Sequence, residues 1–243
     1  MNRSIVITGA GSGLGRALAR KLAGNGNALF LMGRNIAKLE KVAQEIGGAR
    51  AVGCDVGDPA SVAAAFGEVA RHTQRLDVLI NNAGLFEPAM IAEASDGHIR
   101  ALLDTNLAGP IYCSRAAIPL MAKGSHIIAI GSETITVPVA MLALYQTGKA
   151  GLERFMQTLN QEMAPKGIRV TMVRAGKMYE PEMASPFPAE LYQRFVEENA
   201  RIGLQQSTQP LSRYDSVAQA IAPLLELPDE VNCPLILLEG RFP

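Results

Sequence analysis

The sequence predicts one doubly wound α/β domain over residues 1–243: a parallel sheet of about seven strands with helices on both faces. Three observations carry this. Six short apolar runs rich in β-branched residues alternate with stretches of helical periodicity, and a seventh run lies near the C-terminus. A glycine cluster separates the first run from the first helix, which is how a tight strand-to-helix turn is punctuated. Hydrophobic residues make up 48% of the chain and aromatic ones only 5%, without Trp. That profile suits helix-covered parallel strands better than a β-sandwich.

Taken in order, Ser4–Thr8 (SIVIT) is the first strand, and LGRALARKLAGNG after the glycines is helical. Asn27–Met32 is the second strand, followed by a helix around Ile36–Ile46 that Gly47-Gly48 stops. Arg50–Cys54 is the third strand, and Asp58-Pro59 opens a helix as N-cap and first residue. Leu76–Ile80 is the fourth, before a long helical region from about Asp96 to Ala122. Ser125–Ile130 is the fifth, then comes a helix from about Ala143 to Pro165-Lys166-Gly167. Ile168–Val173 is the sixth, Asp215–Leu227 a further helix and Leu235–Leu238 the last strand. The segment at about 177–212 interrupts the alternation and is expected to be a mobile substrate-side lid. No composition break or linker divides the chain.

Composition also excludes partners. Lys plus Arg and Asp plus Glu number 23 each, so no charge excess points to nucleic acid or an anionic membrane. Cys54, Cys113 and Cys233 are far apart and odd in number, which fits reduced thiols rather than disulfides or a metal knot. His72, His98 and His126 fall apart in the pattern, so no metal site is expected. MNRSIVITGAG has one basic residue and an apolar run of only three before Thr8, too short for a signal or a span. A cytoplasmic protein is expected.

The polar groups that can do chemistry each follow a strand: Gly9–Gly15, Arg34, Asp55, Asn81–Gly84, Ser132 and Ala175-Gly176. In an open parallel sheet these carboxyl ends share one edge, where a ligand crevice forms. Thr8–Gly15 (TGAGSGLG) lacks G-x-G-x-x-G spacing, but Gly9, Gly13 and Gly15, with Ser12 and Leu14, make a turn that lets backbone approach a pyrophosphate. No Gly-Lys-Ser/Thr follows, which excludes a Walker loop. At the end of strand two, where an acid would hold ribose hydroxyls, stands Arg34; a guanidinium there suits a 2′-phosphate, so NADP(H) is favoured over NAD(H). Tyr145 and Lys149 lie one helical turn apart. The ammonium is expected to draw the phenol pKa down from near 10, making an acid-base catalyst beside the Ser132 hydroxyl. Leu85, Phe86, Met141, Leu142, Met178, Tyr179 and Met183 are candidates for an apolar substrate wall, or for plain core packing.

With these motifs in order, the chain resembles the short-chain dehydrogenase/reductase family, of its classical kind, over nearly its full length. TGAGSGLG resembles the family's cofactor loop, Cys54-Asp55-Val56 its adenine-contacting segment, and Asn81-Asn82-Ala83-Gly84 its NNAG. Asn106 stands where the family has its catalytic Asn, and Ser132, Tyr145 and Lys149 match its Ser and Tyr-x-x-x-Lys. The resemblance implies a Rossmann-type NAD(P)(H)-dependent oxidoreductase acting on an alcohol or a carbonyl. Tyr145 would move the proton, Ser132 polarise the oxygen, Lys149 lower the tyrosine pKa and hold the nicotinamide ribose, and Asn106 carry a water. Asp55 and Val56 would meet the adenine, Asn82, Ala83 and Gly84 its ribose, and Gly176 the nicotinamide side. Two departures stand out: Ala175 replaces the family's Pro before Gly176, and Glu180 stands where a Thr is common.

The expected reaction is NADPH-dependent reduction of a ketone or aldehyde. The alternatives are an NAD-dependent secondary-alcohol dehydrogenase and a non-catalytic nucleotide-sensing regulator. The resemblance further implies a homodimer or homotetramer; light scattering at micromolar concentration is expected to give a multiple of the monomer mass.

Overall fold

The computed structural model describes residues 2–24, 26–180, 187–205 and 210–241. Seven strands form one parallel sheet: β1 (Ser4–Thr8), β2 (Ala28–Gly33), β3 (Arg50–Gly53), β4 (Val78–Asn81), β5 (His126–Ile130), β6 (Arg169–Ala175) and β9 (Leu235–Leu238). Their order is β3-β2-β1-β4-β5-β6-β9. The order reverses between β1 and β4, which pair through Ile7 and Ile80, so the crevice opens beyond their carboxyl ends.

Alternate residues of each strand feed two cores, as a sheet covered on both faces requires. Ile5, Ile7, Leu31 and Ile80 pack with α1 (Gly13–Leu22), α2 (Ile36–Ile46) and α8 (Tyr214–Ile221). Val6, Phe30, Leu79 and Ile127 pack with α3 (Pro59–His72), α5 (Gly109–Ala117) and α6 (Ala143–Met163). Each such fully buried aliphatic side chain contributes roughly 1.5–3 kcal/mol.

Helix starts follow local chemistry. Asn35 caps α2 by accepting from Lys38 N–H at 3.1 Å, and Asp58 caps α3 by accepting from Ala60 N–H at 2.9 Å, with Pro59 in the first turn. The long helical region is not continuous. It divides into α4 (Asp96–Leu103), a π turn at Asp104–Ala108, α5, and a 3₁₀ turn at Ile118–Leu120. In the π turn Gly109 N–H donates to Asp104 O, five residues back, and this bulge holds Asn106. Helical periodicity tolerates one such inserted residue, so the break leaves no mark in the pattern.

The 177–212 region contributes β7 (Met178–Tyr179), which pairs with β8 (Ser212–Arg213), and α7 (Ala189–Arg201). Met183 lies outside the described residues. No helix among the described residues is long and apolar enough to cross a membrane.

His126, at the start of β5, is buried, with Nε2 2.8 Å from the Thr171 hydroxyl. That hydroxyl donates its own hydrogen to Cys233 O at 2.7 Å, so it accepts from Nε2–H. Nδ1 is buried with no partner among the described residues. A proton there would sit desolvated beside Arg169, and burial pulls the His126 pKa down from 6.5 to about 3. The unfolded chain takes up this proton near pH 6.5 and the folded chain only near 3. The neutral-histidine contribution is therefore whole above pH 6.5 and is lost as pH falls towards 3, at up to ~1.4 kcal/mol per pH unit. In urea titrations between pH 6.5 and 4, wild type is expected to lose stability more steeply than His126→Gln. Equal slopes would contradict this account.

Candidate active site

A cleft of about 1070 Å³ runs along the carboxyl ends of the strands. Its geometry starts at the turn after β1. Gly9 adopts φ +65°, and a Cβ there would stand 2.8 Å from Ala83 Cα. At Gly15 a Cβ would overlap the Gly9 carbonyl and come 2.6 Å from Asn82 Nδ2. Both positions need glycine so that α1 can start directly behind the turn. Thr8, at the end of β1, ties this turn to the next strand: its hydroxyl accepts from Asn82 N–H and Ala83 N–H, each at 3.0 Å. The Asn82 amide donates back to Thr8 O at 2.9 Å.

Ser12 stands at the N-cap of α1 without making a side-chain cap bond, unlike Asn35, Asp58 and Ser95 on the next three helices. The first-turn amides of α1 are thus left to another acceptor, a usual arrangement for an anion. Arg34 and Lys38 line the rim beyond β2, both exposed, and neither side chain has a hydrogen bond or ion pair among the described residues. Asp55 Oδ1 accepts from Gly57 N–H at 3.0 Å, which fixes the loop after β3.

At the other end, the 21-residue helix α6 presents Tyr145 and Lys149. It lies close against the π turn because Gly148 faces Asn106, whose Cβ would be 3.1 Å from a Cβ at that position. Leu152, Met156 and Leu159 hold α6 on the sheet, and Glu153 bonds Arg174 of β6 through two contacts of 2.7 and 2.5 Å. The apolar stripe supplies most of the stability. Desolvation offsets much of the ion pair's attraction, so the pair mainly orients the helix. Gln146 fastens the loop after Ser132 to α6, donating to Thr134 O and to Val137 O at 2.7 Å and accepting from Val139 N–H at 3.2 Å.

Ser132 Oγ accepts from Thr134 N–H at 3.2 Å and lies 2.9 Å from the Thr134 hydroxyl. Lys149 Nζ donates to Ile130 O at 2.8 Å and stands 5.8 Å from the centre of the Tyr145 ring. Here the electrostatics differ from the expectation drawn from helical spacing. Burial holds the Tyr145 phenol above its ordinary value, and the hydrogen bond with Ser132 only works against that. Burial also draws Lys149 down to about 8. The ammonium is turned to a backbone carbonyl of β5, so it does not offset the loss of water around the phenol.

The cleft gathers most of the residues singled out from sequence: Gly9, Ser12, Leu14, Arg34, Asp55, Val56, Asn82, Ala83, Gly84, Ser132, Tyr145, Lys149 and Gly176. Three stand behind it. Gly13, at φ +51°, faces the Tyr214 ring, and Gly15 is packed under the turn. Asn106 is fully buried, its amide donating to Leu85 O at 2.7 Å and accepting from Leu85 N–H at 3.1 Å. Asn81 points away from the cleft, to the Ser114 hydroxyl at 3.2 Å. Glu180 forms an ion pair with Arg16 of α1. The sequence reading did not single out Thr8, Lys38, Gln146 or Gly148. Lys38 had a legible signal, a second cation in the first turn of the helix that follows Arg34. The others act through contacts distant in sequence.

Residues 3–191 match the family described as short chain dehydrogenase. Dehydrogenase/reductase SDR family member 7B of Bos taurus is 33% identical over 190 residues, 73% of this chain and 58% of that protein. The chain thus spans less than two thirds of that relative's length. Carbonyl reductase family member 4 of Danio rerio is 30% identical over 246 residues, covering 99% of this chain and 98% of that one. A short chain dehydrogenase from Burkholderia cenocepacia J2315, solved in complex with NADP, has a TM-score of 0.82 and 29% identity, covering 98% and 96% of the two chains.

Proposed function

This chain belongs to the short-chain dehydrogenase family, and from that premise we propose that it reduces a ketone or aldehyde to the alcohol with NADPH, Tyr145 giving the proton. The observation that carries this reading is the meeting of Ser132, Tyr145 and Lys149 at one end of a cleft whose other end is a glycine turn flanked by Arg34 and Lys38.

The residues fit a dinucleotide. The side-chain-free approach at Gly9, the uncapped start of α1 at Ser12 and two cations without partners among the described residues suit a pyrophosphate and a 2′-phosphate. NADP in the Burkholderia relative supports the same assignment. Gly13 and Gly15 would serve it from behind, by shaping the turn. Asp55 and Val56 would border the adenine, Asn82 to Gly84 its ribose, and Gly176 the nicotinamide side. The cofactor, when bound, supplies hydride to the carbonyl carbon.

What the chain itself does is acid catalysis. Ser132 Oγ accepts from Thr134 N–H and shares a hydrogen bond with the Thr134 hydroxyl; with that hydroxyl as donor, the Ser132 hydrogen can be aimed at a substrate oxygen. The Tyr145 phenol, kept protonated by burial, gives its proton to that oxygen as negative charge develops there. Lys149, with its pKa near 8, carries its charge at neutral pH and steadies the developing phenolate. Asn106 acts as a positioning residue, fixing the Leu85 backbone opposite Lys149.

Tyr145→Phe removes the proton donor and keeps the ring. It is expected to lower kcat roughly 10²–10⁴-fold while the thermal shift given by NADPH stays near wild type. Near-normal turnover would remove Tyr145 from the mechanism.

The second test compares thermal shifts with NADPH and NADH at equal concentration. A ligand at about 100 times its Kd adds roughly 2.7 kcal/mol to stability. Wild type is expected to shift more with NADPH, and Arg34→Asp with Lys38→Ala to reverse the order. An unchanged order in the double variant would exclude the phosphate contact.

A further inference from the structure

The substrate end of the cleft is built from aromatic rings around one edge of Tyr145. The Phe86 ring stands edge-on to the Tyr145 ring at 4.9 Å and 85°. Phe187 and Phe195 pack on Phe86 at 5.5 and 6.4 Å. Phe86 itself is 37% exposed, and Val137, Tyr192 and Leu211, also large and exposed, line the same cleft. Apolar side chains gathered at one mouth of a cavity mark a binding surface.

The rings are held in place by polar contacts beneath them. Asn199 of α7, fully buried, accepts from Ala140 N–H at 3.0 Å and donates to Ala140 O at 3.3 Å and Phe195 O at 2.8 Å. Met141 next to it adopts φ +66°, a strained conformation for a residue with a side chain, and its carbonyl accepts from Ala89 N–H at 2.9 Å. These bonds join the segment after Phe86, the loop before α6 and the helix of Phe195. The cage is thus preformed.

Among the described residues the ring cluster presents mainly apolar atoms, although Glu133, Thr134, Tyr179 and Tyr192 also line the cleft. Gln146 and Asn199 spend their amides on backbone, and the Thr136 hydroxyl donates to Glu133 O at 2.8 Å. Arg34, Lys38 and Asp55 belong to the far end of the cleft, and Lys177 lies beside Glu133. A carboxylate or a hydroxyl-rich chain placed against the ring faces themselves would lose water there and gain no hydrogen bond from Phe86, Phe187 or Phe195. A planar apolar group would meet ring faces and edges instead.

Resting on the reductase reading above, we infer that the substrate's flank is an aromatic or similarly planar apolar group, and that Phe86 is the residue that selects it. The class is aryl ketones and aldehydes, as against short aliphatic ketones, 2-oxo acids and sugars.

The test measures kcat/KM with NADPH for acetophenone, 2-butanone and pyruvate in wild type, Phe86→Ala and Phe86→Leu. Binding of 1-phenylethanol is followed separately by saturation-transfer NMR, which needs no turnover. Wild type is expected to favour acetophenone over 2-butanone about tenfold or more and to leave pyruvate unreduced; Phe86→Ala is expected to lower the acetophenone to 2-butanone ratio about tenfold. Phe86→Leu keeps an apolar side chain and should lower the ratio less. A preference for 2-butanone or pyruvate, or a ratio unmoved in Phe86→Ala, overturns the assignment. If no carbonyl is reduced but 1-phenylethanol binds wild type and is lost from Phe86→Ala, the reductase reading fails and the ring site stands. If other carbonyls are reduced and 1-phenylethanol does not bind, the ring site alone fails.

Discussion

The Thr8 hydroxyl accepts two backbone N–H groups, those of Asn82 and Ala83, and so joins the carboxyl ends of β1 and β4 where the strand order reverses. The crevice depends on that junction. Strands whose connections leave in opposite directions separate beyond their last ladder bond, and buried amides there need an acceptor. One hydroxyl supplies it in little space, and the Asn82 amide closes the same junction from the other side. Gly9 then passes close to Ala83, and α1 starts behind it. The glycine turn and the Asn82–Ala83 segment at the nucleotide end of the cleft take their positions from this point.

The catalytic end is positioned by a different device. Tyr145 and Lys149 need only to share a helix face, but where that face points is set by what α6 packs against. Gly148 lets the helix approach the π turn at Asn106, and the Glu153–Arg174 pair fixes its rotation against β6. The π turn costs one regular helical bond and places Asn106 where its amide can satisfy both polar groups of Leu85. The same loop, one residue on, carries Phe86 to the edge of Tyr145. A buried amide thus organises both the approach to Lys149 and the apolar wall.

Burial shapes the chemistry as much as proximity does. The sheet end that excludes water raises the phenol and lowers the ammonium, opposite to the simple effect of a cation on a phenol. Desolvation exceeds the interaction with a charge 5.8 Å from the ring that is already bonded to Ile130 O.

The sheet was legible in the sequence because burial on both faces leaves continuous apolar runs: Ser4–Thr8 and Leu235–Leu238 match their predicted bounds, and the other strands of the sheet differ by one or two residues at one or both ends. Gly9, Ser132, Tyr145, Lys149 and Arg34 were legible too, since strand ends are marked in the chain and topology brings strand ends to one edge. The tertiary structure decided what no local pattern records. It placed Gly13 against Tyr214 and buried Asn106 behind Gly84, turned Asn81 towards Ser114, and paired Glu180 with Arg16. It also gave Thr8, Gln146 and Asn199 their tasks. The physical reason is range: secondary structure and strand-end chemistry follow from neighbours a few residues apart. A hydrogen-bond partner, a desolvated pKa or a ring's orientation depends on atoms tens of residues away in the chain.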